Sequence, residues 1–347
     1  MGKVKPNILI IYTGGTIGMI EDDVTGTLRP FDFDHLIENV PKINKLGYDI
    51  NHLQFDEPID SSDMDPQCWA RIARCIADNY AVYDGFVVLH GTDTMAYTAS
   101  ALSFMLGNLH KPVIITGSQL PIGEVRTDGE ENLITALQIA AERSADGLPM
   151  VREVAILFEN YLWRGCRATK RSADNFNAFK SNNYPSLAKI GLGIEYNQDA
   201  LARPDTNAPL VLLDRLDPSV MVIDLFPGLA QATLNHLLNT PGIKGVVLRT
   251  YGAGNTPTYR WFIDAIRQAV DRGLIILNVT QCVNGTVRIN RYVSGDILAS
   301  IGVISGYDIT VEAALTKMMS LFGRGISDTE LRQALTEPIA GEMTVLG

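Results

Sequence analysis

NILIIYTGGTIG, residues 7–18, is an apolar run that empties, with no charge between, into a loop of threonines and glycines. The run reads as a strand buried on both faces. A loop of this kind at a strand's carboxyl end either holds a phosphate, exposes a nucleophile, or is a plain tight turn. Spacing argues against phosphate: Gly14, Gly15 and Gly18 form neither G-x-G-x-x-G nor G-x-x-x-x-G-K-[ST]. No acidic ribose-binding residue in strand context follows roughly 20 residues on.

The same grammar recurs along the chain in FVVLHGTDT (86–94), PVIITGSQL (112–120), VAILFENYLWRG (154–165), GVVLRTYGAGN (245–255) and LIILNVTQC (274–282). Helical patterns lie between these runs. Trp69, Ile72, Ala73 and Ile76 repeat at i, i+3, i+4 and i+7 behind a cap at Asp65 and a first-turn Pro66. Residues 131–143 are strong helix formers, 257–273 open on Pro257 and stop at Gly273, and Ser327 with Glu330 has the form of a capping box. Apolar runs alternating with helices predict an α/β chain whose mostly parallel sheet is covered on both faces, with ligands gathering at the carboxyl ends of the strands. The polar, aperiodic stretch 196–210 reads as a linker. The expectation is a larger N-terminal catalytic α/β domain over 1–195 with flanking helices, and a smaller Rossmann-like α/β domain over 211–347.

The chain's 347 residues exceed what one core usually organises, in keeping with two domains. Its formal net charge of -10 argues against a nucleic acid or an anionic membrane as partner. Cys68, Cys75, Cys166 and Cys282 include no CxxC pair. Cys68 and Cys75 fall about 10 Å apart along one helix face, too far for a disulfide, so free thiols and a cytoplasmic setting are expected. The N-terminal stretch lacks the features of a signal peptide, and no run approaches the ~18 apolar residues of a membrane span.

For chemistry, DSSD (60–63) and HGTDT (90–94) are polar loops before helices, like the loop at 13–18. Amide hydrolysis needs an activated nucleophile, a base and oxyanion donors. A threonine hydroxyl requires a basic partner, and Lys170 in RATKRSADNF is a candidate. There is no G-x-S-x-G elbow. His35, His52, His90, His110 and His236 show no HxxH or HExxH spacing, so no metal is expected. His90 reads as a strand-end histidine bonded to backbone, and Cys68 and Cys75 as helix packing.

TGGTIG, DSSDM, DGFVVLHGTDTMAYTASALSFML, KPVIITGSQLP, TK at 169–170, LRTYGAGN and NVTQC together resemble the bacterial-type L-asparaginases, in their type I, cytoplasmic branch, over nearly the whole chain. The resemblance implies Thr16 as the nucleophile of an acyl-enzyme. Thr92, Asp93 and Lys170 would complete the catalytic set, with no cofactor and no metal. It implies that Asp93 holds the substrate α-ammonium, that Ser61 and Ser62, in the loop with Asp60, take the α-carboxylate, and that Ser118 lies where a carbonyl meets the leaving ammonia. It further implies an asparagine effector site at Thr169, Arg249 and Cys282, and a homodimer or dimer of dimers. An arginine such as Arg249 is equally compatible with a plain ion pair. One departure stands out: in the segment 19–33, which reads as a lid, Thr27 occupies the place of the family's usual tyrosine.

Other readings remain open at this stage. One is a glutaminase-asparaginase or the amidase subunit of a tRNA-dependent amidotransferase, the latter disfavoured by the negative charge. The other is a non-catalytic amino-acid-binding regulator.

Overall fold

The computed structural model describes residues 5–21, 28–30, 40–205, 207–288 and 293–345. The chain forms two compact units, Met1–Asp214 and Arg215–Gly347. Both are α/β.

The first unit is organised by an 8-stranded sheet. Its strands are β1 (Asn7–Tyr12), β2 (Asp49–Gln54), β3 (Gly85–Leu89), β4 (Val113–Thr116), β5 (Val154–Phe158), β6 (Tyr161–Arg164), β7 (Ala188–Ile190) and β8 (Ile194–Tyr196). They lie in the order β8-β7-β6-β5-β4-β3-β1-β2. The pairs from β2 through β5 are parallel, and those from β5 to β8 are antiparallel. The apolar run 154–165 is therefore two strands. Glu159, at φ 53°, turns it into a hairpin, a reversal that continuous hydrophobicity hides. Strand β2 was not expected: it is a mostly exposed edge strand with neither an apolar run nor clean alternation.

Burial on both faces explains the uniform composition of the central strands. Ile8, Ile10, Val87, Leu89 and Ile114 join one apolar cluster with Leu133, Ala136, Leu137 and Ala140 of the helix Gly129–Ala141. The alternate residues Leu9, Ile11, Val88 and Ile115 are equally buried and point the other way. Each such side chain contributes roughly 1.5–3 kcal/mol by leaving water. Helix α1 (Pro66–Asn79) starts as expected, the Asp65 side chain accepting from Cys68 N, and buries Trp69, Ile72, Ala73 and Ile76. Helix α2 (Met95–Met105) follows the loop after β3.

The second unit carries a 4-stranded parallel sheet, β9 (Val220–Asp224), β10 (Gly245–Thr250), β11 (Ile275–Thr280) and β12 (Ile304–Ser305), in sequential order. Its helix Arg260–Asp271 begins three residues after Pro257, with Tyr259 at the N-cap. The capping box at Ser327 and Glu330 is present. Lys317 and Glu342 form a fully buried ion pair at 2.6 Å. The four cysteines are free, and no described helix is long and apolar enough to cross a membrane.

Candidate active site

Strand order places the site. The chain leaves β1 for β2 on one side, then returns to lay β3, β4 and β5 on the other. The order reverses between β1 and β3, and a parallel sheet opens a crevice at the carboxyl ends of two such strands. The loops there are TGGT after β1 and HGTDT after β3.

These loops meet backbone to backbone. A Cβ on Gly15 would collide with the nitrogen of Gly91, and one on Gly14 with the backbone of Ile59. Both glycines also hold positive φ, 131° at Gly14 and 94° at Gly15. The contact brings together the residues that precede Thr16 and Thr92. Thr16 is half-buried and opens the short turn Thr16–Gly18. Tyr12, the last residue of β1, closes that turn by donating its hydroxyl to Gly18 O at 2.9 Å; burial pushes its phenol up to about 12. Thr13 is tied to β3 through Leu89 O at 2.8 Å.

Lys170 ends the strand Ala168–Lys170 and reaches the loop after β3. Its Nζ donates to Thr92 Oγ1 at 2.9 Å and pairs with Asp93 Oδ1 at 2.6 Å. The Lys170 side chain is 16% exposed and that of Asp93 64%, so the ammonium is sheltered while the carboxylate faces solvent. Thr92 Oγ1 in turn donates to Gln119 Oε1 at 3.4 Å. A hydroxyl, a lysine and a carboxylate in this order can move a proton and balance the charge it leaves.

The remaining expected residues sit around this group. Ser61 is buried and Ser62 exposed, in a turn that Asp60 caps by accepting from Ser62 N at 2.9 Å. A Cβ on Gly91 would strike Ser61 Oγ, which places the DSSD turn against the HGTDT loop. Ser118 is buried after β4 and donates to Leu120 O. Asp128 braces this third loop by accepting from Gln119 N and Leu120 N; burial raises its carboxyl against the pull of those donors.

His90 is structural. Its Nδ1 lies 2.6 Å from Gly91 O and its Nε2 2.8 Å from Thr98 Oγ1. A carbonyl can only accept, so Nδ1 carries the proton and Nε2 accepts from Thr98, which accepts from Trp69 Nε1 at 2.9 Å. Complete burial pushes the imidazole down to about 4 and keeps it neutral.

Two family profiles match: "Asparaginase, N-terminal" over residues 7–202 and "Glutaminase/Asparaginase C-terminal domain" over 219–335. The chain belongs to the asparaginase family. It is 40% identical to L-asparaginase 1 of Escherichia coli strain K12 across 98% of both chains. The structure of L-asparaginase I from Vibrio cholerae superposes at a TM-score of 0.89 with 38% identity, covering 99% of this chain and 100% of that one. A component of the glutamyl-tRNA(Gln) amidotransferase of Pyrococcus furiosus is 34% identical over 99% of this chain and 78% of its own length. As a member of this family, the chain is an amidohydrolase.

The expected effector residues are divided between the two units. Thr169 is on the strand beside Lys170, in the first unit. Arg249 is the penultimate residue of β10 in the second, paired with Asp224 Oδ1 at 2.9 Å. Cys282 is exposed just beyond β11, its N–H donating to Thr280 Oγ1. Thr27 lies outside the described residues. On either side of it, Met19–Glu21 and Leu28–Pro30 pair as an antiparallel ribbon. Among the described residues no group of three His, Cys, Asp or Glu could hold a metal ion. Sequence reasoning missed Gln119, Asp128 and the Tyr12 hydroxyl. Gln119 was legible only as the residue after Ser118.

Proposed function

We propose that this chain is an L-asparaginase that converts L-asparagine to L-aspartate and ammonia through an ester on Thr16. The observation that carries this reading is Lys170 held against both Thr92 Oγ1 and Asp93 Oδ1, at the sheet's switch point and beside the loop that bears Thr16. Thr16 Oγ1 attacks the side-chain amide carbon, and its proton passes by way of Thr92 and Lys170 to the leaving nitrogen. The C–N bond breaks, ammonia departs, and water cleaves the ester to restore the hydroxyl. Backbone N–H groups beside Gly15 and Gly91 are the natural oxyanion donors, typically worth 10²–10³-fold in rate each. Ser61, Ser62 and the turn capped by Asp60 receive the α-carboxylate, Asp93 the α-ammonium, and the Ser118 loop lies near the leaving ammonia.

Free thiols support a cytoplasmic enzyme. The family relationship supports a homotetramer built as a dimer of dimers, with an allosteric asparagine site drawn from Thr169, Arg249 and Cys282. For Arg249, release from Asp224 would free a fork suited to a carboxylate. No cofactor or metal enters this chemistry.

The amidotransferase relative keeps glutamine in view as a substrate. A pocket of fixed length separates the two amides by only about 10–200-fold per methylene. Ammonia release measured on asparagine and glutamine over a wide concentration range tests the reading. Preferred, sigmoidal turnover of asparagine is expected. Preferred glutamine turnover reassigns the substrate, hyperbolic kinetics remove the effector site, and turnover of neither amide overturns the assignment.

A further inference from the structure

Thr94, the last residue of HGTDT, occupies the N-cap of α2, where a threonine hydroxyl ordinarily accepts a backbone N–H of the first turn. Here the side chain makes no capping bond. It crosses instead to the DSSD turn and donates to Ser61 O at 2.6 Å. Ser61 is 4% exposed, and among the described residues its carbonyl otherwise accepts only the longer bond from Met64 N at 3.3 Å. The tie therefore spans the loop that takes the α-carboxylate, with Ser61 and Ser62, and the loop that carries Thr92 at the amide end of the substrate. A buried chain from Trp69 through Thr98 to His90 joins α1, the helix that follows the DSSD turn, to the start of the HGTDT loop, while Thr94 bonds the turn itself. A helix start left without its side-chain cap is a local sacrifice, and the short bond across the crevice is what it obtains.

We propose that Thr94 is a positioning residue that holds the α-carboxylate turn at a fixed distance from the catalytic group and so sets affinity for the amino-acid end of the substrate. This rests on the asparaginase reading above. Thr94 touches no reacting atom in this scheme and acts through Ser61.

The test is steady-state ammonia release from asparagine by the full-length chain carrying Thr94→Val, Thr94→Ala or Thr94→Ser, with inhibition by L-aspartate measured alongside. Thr94→Val and Thr94→Ala should raise KM for asparagine and Ki for L-aspartate together, by about 3- to 10-fold as one net hydrogen bond implies. Their kcat should stay within about twofold, and Thr94→Ser should restore both constants. A merely structural hydroxyl would lower kcat through a smaller folded fraction and leave KM alone. Unchanged KM in both variants, a loss confined to kcat, failure of serine to rescue, or failure of both Thr94→Val and Thr94→Ala to fold each overturns the proposal without touching the asparaginase reading. A wild-type chain inert toward asparagine overturns that reading, and this inference with it.

Discussion

Lys170 Nζ stands 2.9 Å from Thr92 Oγ1, while the same nitrogen pairs with Asp93 Oδ1 at 2.6 Å. Thr92 and Asp93 are adjacent in the chain and Lys170 is 78 residues beyond Thr92, so the contact exists only because the strand ending in Lys170 passes the carboxyl end of β3. If Lys170 serves as the base for Thr92, Lys170→Met should cut kcat by at least ~10²-fold. Thermal unfolding should change little, since the pair is open to solvent on the Asp93 side. Near-normal ammonia release would remove the lysine from that role.

Thr16 begins the turn that Tyr12 locks, and its side chain is only half-buried. Thr16→Ala is expected to abolish turnover and keep the fold, as judged by circular dichroism and melting temperature. Ordinary kcat in that variant would exclude Thr16 as nucleophile.

Gly15 tests the backbone contact. At φ 94° with Gly91 directly against it, Gly15→Ala meets both a strained conformation and a collision. The substitution should destabilise the first unit by ~1–3 kcal/mol and separate the two threonines. Denaturant titration and kcat should fall together; full stability with full activity would contradict the packing described.

His90 predicts a pH dependence. Its folded value of about 4 is below the unfolded one of about 6.5, so the unfolded chain binds the extra proton. The stability it permits is fully present above about 6.5 and lost as pH falls toward 4, by roughly 3 kcal/mol over the window. His90→Gln should flatten the slope of unfolding free energy between those values; an unchanged slope would assign acid lability to other groups.

Lys317 and Glu342 are each 0% exposed, and Glu342 also accepts from Ile339 N and Ala340 N. Lys317→Met leaves that carboxylate buried without its cation and should cost about 3–5 kcal/mol, with Lys317→Met/Glu342→Gln recovering much of the loss. Denaturant midpoints for the two variants decide it.

Much of the architecture was legible because its signals are local. Burial of a central strand on both faces leaves no room for polar residues, so β1, β3, β4, β10 and β11 announced themselves as apolar runs. Asp65 and Ser327 marked helix starts because a side-chain cap acts within three residues. The hairpin at Glu159 and the edge strand β2 escaped for the opposite reason. A turn at one non-glycine residue, and pairing along one edge, leave little trace in composition. Pro257 misled because two non-helical residues, Thr258 and Tyr259, separate it from the helix it seemed to open.

The sequence by itself determined the α/β class, the polar loops at strand ends and the residue types able to hydrolyse an amide, since each follows from burial and side-chain chemistry within a few residues. The tertiary structure alone decided which loops meet. Strand order reverses between β1 and β3, Gly15 fits against Gly91, and Lys170 arrives from a distant strand. Such contacts depend on how separate strands are paired in the sheet, a property that no short stretch of chain encodes.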